Sequence, residues 1–362
     1  MPMSAPYLRT LASAGSFHHN RHRMKEGSHI KIYHWLMPLA WLYGLGVRTR
    51  NKLFDLGVLR SRSFALPVIC IGNITVGGTG KTPHTEYLIR LLSERMRVAV
   101  LSRGYKRKSH GFIIASDKAT AEEIGDEPCQ MKRKFPGIEV AVDTDRCHGI
   151  DMLTAPERKT KPDVILLDDA YQHRYVKAGL NILLMDFHRV TYKDRLLPAG
   201  RLREPHSGIA RADIIIVTKC PKAIDGKQIN DITMSLNLSK TQQLFFTRYA
   251  YPEHIDGISK RPVLLTGIAS PRQMAEDLKH IVPDIELMSF PDHHNFTDAD
   301  IEAIRRKTKG RTILTTEKDS TRIHGLENVV VVPIEVEFIN GGKAAFDRTI
   351  LDFVNKGPCY HN

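Results

Sequence analysis

From Pro67 onward the chain alternates short apolar runs with longer amphipathic stretches. The runs at 67–73, 97–105, 138–142, 163–170, 181–186 and 213–219 are rich in β-branched residues and do not alternate. That pattern predicts strands of a parallel sheet buried on both faces. Stretches near 81–95, 120–134 and 144–155 predict helices between them, so the expected fold class is α/β and doubly wound, a mostly parallel sheet with helices on both faces. A core domain is expected over 63–242. QLFFTRY (243–249) predicts strands of a linker spanning 243–261, and a second, smaller α/β domain follows over 262–362. Its strands are expected at 262–269, 285–290, 312–319 and 329–338. One helix opens at Ser270-Pro271, as cap and first-turn proline, and another after Thr297.

The most apolar stretch lies outside this alternation. In IYHWLMPLAWLYGLGV (32–47) twelve of sixteen positions are aliphatic or aromatic. A spanning helix needs about 20 such residues, and this run is interrupted by His34, Pro38, Gly44 and Gly46. Both tryptophans, Trp35 and Trp41, fall here beside Tyr33 and Tyr43, flanked by Lys31, Arg48, Arg50 and Lys52. Amphipathic rings beside cations suit the headgroup layer of a membrane, so 32–62 is expected to be an interfacial helical segment. The plainer alternative is a helix packed on the protein's own core with a solvated basic edge. No A-x-A-like cleavage site follows, which argues against a secretory signal peptide. Residues 1–31 show no periodicity and are expected to be a disordered extension, with Met24 a candidate for the true start.

Composition narrows the classes. With 362 residues, 42% hydrophobic and 26% charged, the chain is globular and long enough for two domains. The net charge is +13, and the first 62 residues, with ten basic and two acidic side chains, hold +8 of it. The basic excess therefore sits beside the aromatic run rather than along a polar groove, which speaks against nucleic acid as partner. Five scattered cysteines without a C-x-x-C pair exclude a disulfide framework and a cysteine-based zinc site.

The sharpest chemical signal is GNITVGGTGKTP (Gly72–Pro83), directly after a predicted strand and opening a helix. Thr75, Val76, Gly77, Gly78, Thr79, Gly80, Lys81 and Thr82 form a candidate phosphate loop for ATP. Its glycines let backbone amides turn inward, Lys81 reaches the β/γ-phosphates, and the Thr82 hydroxyl suits Mg²⁺. The strict spacing places glycine where Thr75 stands. The loop resembles that of Min/Par-type ATPases, except that their distinctive lysine is Val76 here. A Min/Par-type or metallochaperone-like nucleotide switch is therefore the alternative function. VILLDD (Val164–Asp169) has the form of an apolar strand ending in metal-binding carboxylates, with Asp168 favoured as the Mg²⁺ ligand and Asp169 nearby.

Further strings stand in order: SRGY (102–105), GDEP (125–128), DDAYQH (168–173), LLPAGRLRE (196–204), VTKCP (217–221), PDHH (291–294) and TTEKD (315–319). Together with the loop, this series resembles the tetraacyldisaccharide 4'-kinase family, the lipid A 4'-kinases of Gram-negative bacteria, over about residues 34–340. The resemblance implies a P-loop NTPase-type core and a smaller domain joined by a two-stranded linker. It implies transfer of the ATP γ-phosphoryl group to the 4'-hydroxyl of a tetraacylated disaccharide 1-phosphate. The partners it implies are that lipid acceptor and an anionic membrane surface, with no obligate protein partner evident. The protein would sit peripherally on the cytoplasmic face of the inner membrane. By the same resemblance Asp126 is the base, His293 its partner and Lys81 a catalytic cation. Arg103, Tyr105, His173, Arg203 and Glu204 would face the acceptor. The TKCP and TEKD strings, each at a strand end, resemble base-reading loops through Lys219 or Lys318; strand-end capping is the alternative.

Overall fold

The structure is a computed structural model describing residues 31–357 except His293. The expectations for residues 1–30 lie outside the described residues. A single 3-10 turn leads into α1 (Met37–Asp55). The core then runs β1 (Val68–Gly72), α2 (Lys81–Ser93), β2 (Val98–Ser102), β3 (Ile113–Ile114), α3 (Ala121–Ile124), α4 (Asp126–Lys134), β4 (Glu139–Val142), α5 (Arg146–Thr154) and β5 (Val164–Asp168). It continues through β6 (Leu180–Asp186), β7 (Ile214–Thr218), α6 (Gly226–Leu236) and β8 (Gln243–Ala250). The second series is β9 (Val263–Thr266), α7 (Pro271–Leu278), β10 (Glu286–Ser289), α8 (Asp298–Thr308), β11 (Ile313–Thr316), α9 (Glu317–Ser320) and β12 (Val329–Val332). It is followed by β13 (Glu335–Phe338) and α10 (Gly342–Lys356).

Nine strands form the larger sheet in the order β13-β8-β7-β6-β1-β5-β2-β4-β3, and four form the smaller one as β10-β9-β11-β12. From β8 to β4 all neighbours are parallel, while β3 and β13 pair antiparallel at the two edges. Successive β1 residues serve opposite faces. Ile69 and Ile71 join Leu88, Ile89 and Leu92 of α2 and Phe346, Ile350 and Val354 of α10. Val68 and Cys70 join Ile150 and Leu153 of α5 and Ile232 and Leu236 of α6. This two-sided burial is why the strands lack alternation. Strand order reverses around β1: β2 lies beyond β5 on one side, β6 and β7 on the other. Such a switch point opens a crevice at the carboxyl ends of the strands, where the phosphate loop stands.

The structure departs from the sequence expectation at several places. The single helix expected over 120–134 is broken at Gly125, whose φ of +94° no helix accommodates. The apolar run 329–338 is two strands in different sheets, parted at Pro333, which has no amide to continue a ladder. Residues 335–356 therefore return to the larger sheet instead of completing the smaller unit. β8 is likewise a full member of the larger sheet, and its antiparallel pairing with β13 makes the two-stranded connection between the halves. Two helices were not anticipated. One is α6, set in a polar stretch but opened by an Asp225/Gln228 capping box; the other is α10.

Because α10 closes one face of the core, its aromatic anchor carries much of that face. Phe346, 2% exposed, meets Phe245, Phe338 and Tyr87 edge-on or tilted. Phe346→Ala is expected to lower unfolding free energy by about 3–5 kcal/mol in a denaturant titration, through lost burial plus the cavity left behind.

Candidate active site

The phosphate loop is held from several directions before it meets any ligand. Thr75 bridges Leu202, and the Val76 amide donates to the Arg201 carbonyl at 2.8 Å, so the 201–203 segment flanks its first half. Asn73 Nδ2 donates to Thr79 Oγ1 at 2.6 Å, and Thr218 Oγ1 donates to the Thr79 carbonyl at 2.8 Å. Lys219 Nζ binds the Gly78 carbonyl and Asp186 Oδ2. Lys219 thus braces the loop, while Lys318 lies 3.2 Å from Asp292. Gly77 and Gly80 both have positive φ, and a Cβ on Gly80 would come within 2.7 Å of the Tyr249 hydroxyl. Both constraints demand glycine at position 80.

His84 lies directly under the loop. Its Nδ1 is 2.7 Å from the Gly80 carbonyl and its Nε2 3.0 Å from Thr247 Oγ1. A carbonyl only accepts, so Nδ1 carries the proton and Nε2 accepts from the threonine. Burial drives this imidazole down to about 4, against the opposing pull of the Gly80 carbonyl.

The carboxylates at the end of β5 separate into two environments. Asp168 is 1% exposed and receives Thr85 Oγ1 at 3.1 Å. Burial, then Glu127 and Asp169, push its carboxyl up to about 7. Asp169, in the left-handed region at φ +48°, turns toward Lys81 Nζ at 3.6 Å and Arg203 Nη1 at 3.3 Å. Burial works against its ionisation, but Lys81, Arg203 and Arg146 outweigh that and hold it below the usual carboxylate range. Asp168, Asp169 and Glu127 supply carboxylate oxygens suited to a hard divalent cation, with Lys81 beside them and Thr82 lining the same cleft.

Asp126 is the first residue of α4, directly after Gly125. A Cβ on Gly125 would lie 3.1 Å from Gly104 Cα and from the Tyr105 carbonyl. The GDEP and SRGY turns are therefore packed backbone on backbone, which is how two strings 20 residues apart come together. Asp126 Oδ2 lies 3.6 Å from Arg322 Nε, so the residue faces the smaller unit. His293 lies outside the described residues. Between the two units runs a cleft lined by Gly78–Pro83, Glu127, Tyr249, Tyr251, Ile268–Ser270 and Thr316–Lys318.

The remaining predicted residues divide. Arg203 joins the Lys81–Asp169 cluster. Glu204 does not face the cleft: it is 1% exposed, and its oxygens accept from Asn51 of α1, Gln172 and Arg211. Arg103 and Tyr105 are exposed near the carboxylate end of the sheet. His173 is half-buried with Nε2 unpartnered among the described residues, and burial followed by Arg146 drives it down to about 4. Sequence reasoning missed Arg322, Lys134 and Arg146. Nothing in the local pattern marks them; they matter only through what the fold brings beside them.

The N-terminal segment rests on the same loop that carries Arg203. The Tyr33 amide donates to the Ala199 carbonyl at 2.8 Å, Tyr43 Oη donates to the Arg203 carbonyl at 2.8 Å, and Gly44 lies against Leu196. Only a narrow stripe of α1 (Ala40, Gly44 and Phe54) is buried, and Trp35, Leu39, Trp41, Leu42 and Leu45 are half or more exposed. No described helix is long and apolar enough to cross a membrane.

A glycine-rich loop between a buried strand and a helix, with a lysine and paired acids at its mouth, is the arrangement of a P-loop nucleotide-binding protein. Comparison with known proteins sharpens this. The model of the tetraacyldisaccharide-1-P 4'-kinase family matches residues 32–355. A tetraacyldisaccharide 4'-kinase of Phocaeicola vulgatus is 50% identical, covering 91% of this chain and 98% of its own length. One from Flavobacterium johnsoniae is 48% identical, covering 89% and 97%. The crystal structure of an "apo" form of LpxK from Aquifex aeolicus in complex with ATP superposes with a TM-score of 0.69. It is 33% identical and covers 89% of this chain and 99% of that one. The chain belongs to the tetraacyldisaccharide 1-phosphate 4'-kinase family.

The buried His84 sets a pH dependence with a definite sign. Its folded value lies below the ordinary 6.5, so the unfolded chain takes up the proton first and stability falls as pH drops from 6.5 toward 4. The loss is on the order of 3 kcal/mol across that window, and His173 adds in the same direction. Asp168, raised to about 7, works in the opposite direction over the same range, so the His84 contribution is read as a difference. His84→Asn is expected to gain stability relative to the parent in denaturant titrations as pH falls from 6.5 toward 4. A parent-to-variant difference that does not change with pH would refute the assignment.

Proposed function

We propose that this chain transfers the γ-phosphoryl group of ATP to the 4'-hydroxyl of a tetraacyl disaccharide 1-phosphate at the cytoplasmic face of the inner membrane of a Gram-negative bacterium. The observation that carries this reading is a single loop, Leu196–Glu204. The exposed aromatic helix rests on it, and its Arg203 reaches Asp169 beside Lys81. An apolar docking face is thereby coupled to a phosphate site, which suits an acceptor that stays in its lipid layer.

In this mechanism the Gly77–Gly80 amides and Lys81 bind the β- and γ-phosphates, and Arg203 and Asp169 orient that lysine. Thr82 and Asp168, with Asp169 adjacent, would hold Mg²⁺, which when bound supplies charge neutralisation on the phosphates. Asp126 accepts the proton of the sugar hydroxyl as its oxygen bonds to Pγ and the bond from Pγ to the ADP oxygen breaks. The role the resemblance gives His293, pairing with Asp126, belongs to this proposal. Arg103, Tyr105 and His173 rim the acceptor side. Around α1, Arg50 is committed to the Gln172 carbonyl, and Arg62 further along to Asp151. Of the cations near the helix, Lys31, Arg48 and Lys52 are exposed and serve an anionic surface.

Two measurements test this. With Mg-ATP and the disaccharide lipid, phosphorylated lipid is expected; Lys81→Ala should abolish it. Asp126→Asn should lower kcat by about 10²-fold or more, with ATP affinity largely kept. Absence of product under conditions where ATP binds would sink the assignment. In vesicle flotation, replacing Trp35 and Trp41 by serine is expected to release the protein from anionic vesicles; unchanged flotation would remove α1 as the docking element.

A further inference from the structure

The TTEKD string at the end of β11 has no part in the transfer as described, yet it carries charged contacts to the larger unit. Asp319 is fully buried. Its Oδ2 accepts from Thr266 Oγ1 (2.9 Å), the Gly267 amide (3.0 Å) and Thr316 Oγ1 (2.7 Å), and its Oδ1 from Arg322 Nη2 (2.8 Å). Arg322 Nη1 donates to the His294 carbonyl at 2.8 Å. Two nitrogens of the guanidinium are thus spent on fixing it within the smaller unit. The third, Nε, is buried without a hydrogen-bond partner among the described residues and stands 3.6 Å from Asp126 Oδ2, across the boundary between the units.

Glu317 makes a parallel contact. It binds Lys134 Nζ at 2.6 Å, and Lys134 also binds Glu86 at 2.7 Å. Asp126 and Lys134 are the first and last residues of α4. The smaller unit therefore grips both ends of the helix that carries the proposed base. The 3.6 Å separation is an ion-pair distance, at which the guanidinium draws the carboxylate toward the smaller unit. A rigid fork is well suited to this, because its remaining nitrogens are already fixed.

We propose that Arg322, buttressed by Asp319, is a positioning residue for the transfer, which orients the Asp126 carboxylate when the smaller unit is seated on α4. This rests on Asp126 being the base. A base misplaced by an ångström loses about 10²-fold in rate, so the effect belongs in kcat and not in substrate binding.

The test uses the full chain with Mg-ATP and the disaccharide lipid. Arg322→Gln is expected to lower kcat by about 10- to 100-fold. KM for both substrates should stay within about threefold, with thermal unfolding still cooperative. Arg322→Lys should fall between that variant and the parent. Retained kcat in Arg322→Gln, or a loss confined to KM, would overturn the proposal. Should Arg322→Gln fail to fold, Arg322→Lys decides alone: reduced kcat at unchanged KM supports the role and parental kcat overturns it. Asp126→Asn separates the two claims. An inactive Asp126→Asn beside a fully active Arg322→Gln removes only this inference, whereas an active Asp126→Asn removes the assignment of the base itself.

Discussion

A loop that aims its backbone amides inward gives up the hydrogen bonds those amides would make in a helix or strand. Such a loop stays curled only if neighbours hold it. Here the 201–203 segment holds its first half, Asn73 and Thr218 hold Thr79, and Lys219 holds Gly78. The rest of the site follows from this constraint. The segment that flanks the loop also carries Arg203, and β7 ends in Thr218, with Lys219 directly after it. Binding the anion then requires little reorganisation, which is where preorganised electrostatics gain over water.

The second unit matters because the first cannot close the site alone. β8 and β13 tie the two sheets by main-chain pairing at one edge. Side chains then set their face-to-face registration: Glu317 on Lys134, Arg322 near Asp126, and Ala269 against Gly78. Partly buried ion pairs are poor sources of net stability, since desolvation offsets their attraction, but they discriminate strongly between registrations. A cleft formed between two units benefits from that discrimination more than from extra cohesion.

The N-terminal helix inverts the usual burial rule. A stripe of small or narrow contacts at Ala40 and Gly44 faces the protein, while tryptophan and leucine face outward. Gly44 lets the helix approach closely, since a Cβ there would push the end of the Leu196 side chain aside. The buried Glu204 carboxylate, taken up by Asn51, Gln172 and Arg211, fixes the helix at its other end. The direction in which the apolar face points is thus set by the same loop that serves the phosphate site.

By itself the sequence determined the α/β alternation, the phosphate loop and the acidic strand end, because each is written in a local run whose period or spacing has one physical meaning. Most strands lie within a residue or two of their apolar runs for the same reason. The order of the strings was also enough to indicate the family. What the tertiary structure decided are matters of long-range pairing. Pro333 divides one apolar run between two sheets. Glu204, polar in sequence, is a buried anchor. Arg322 and Lys134, anonymous in sequence, acquire partners at Asp126 and Glu317 only after two sheets meet. A side chain's chemistry is local, but its burial and its partner depend on segments a hundred or more residues away, and no local pattern encodes them.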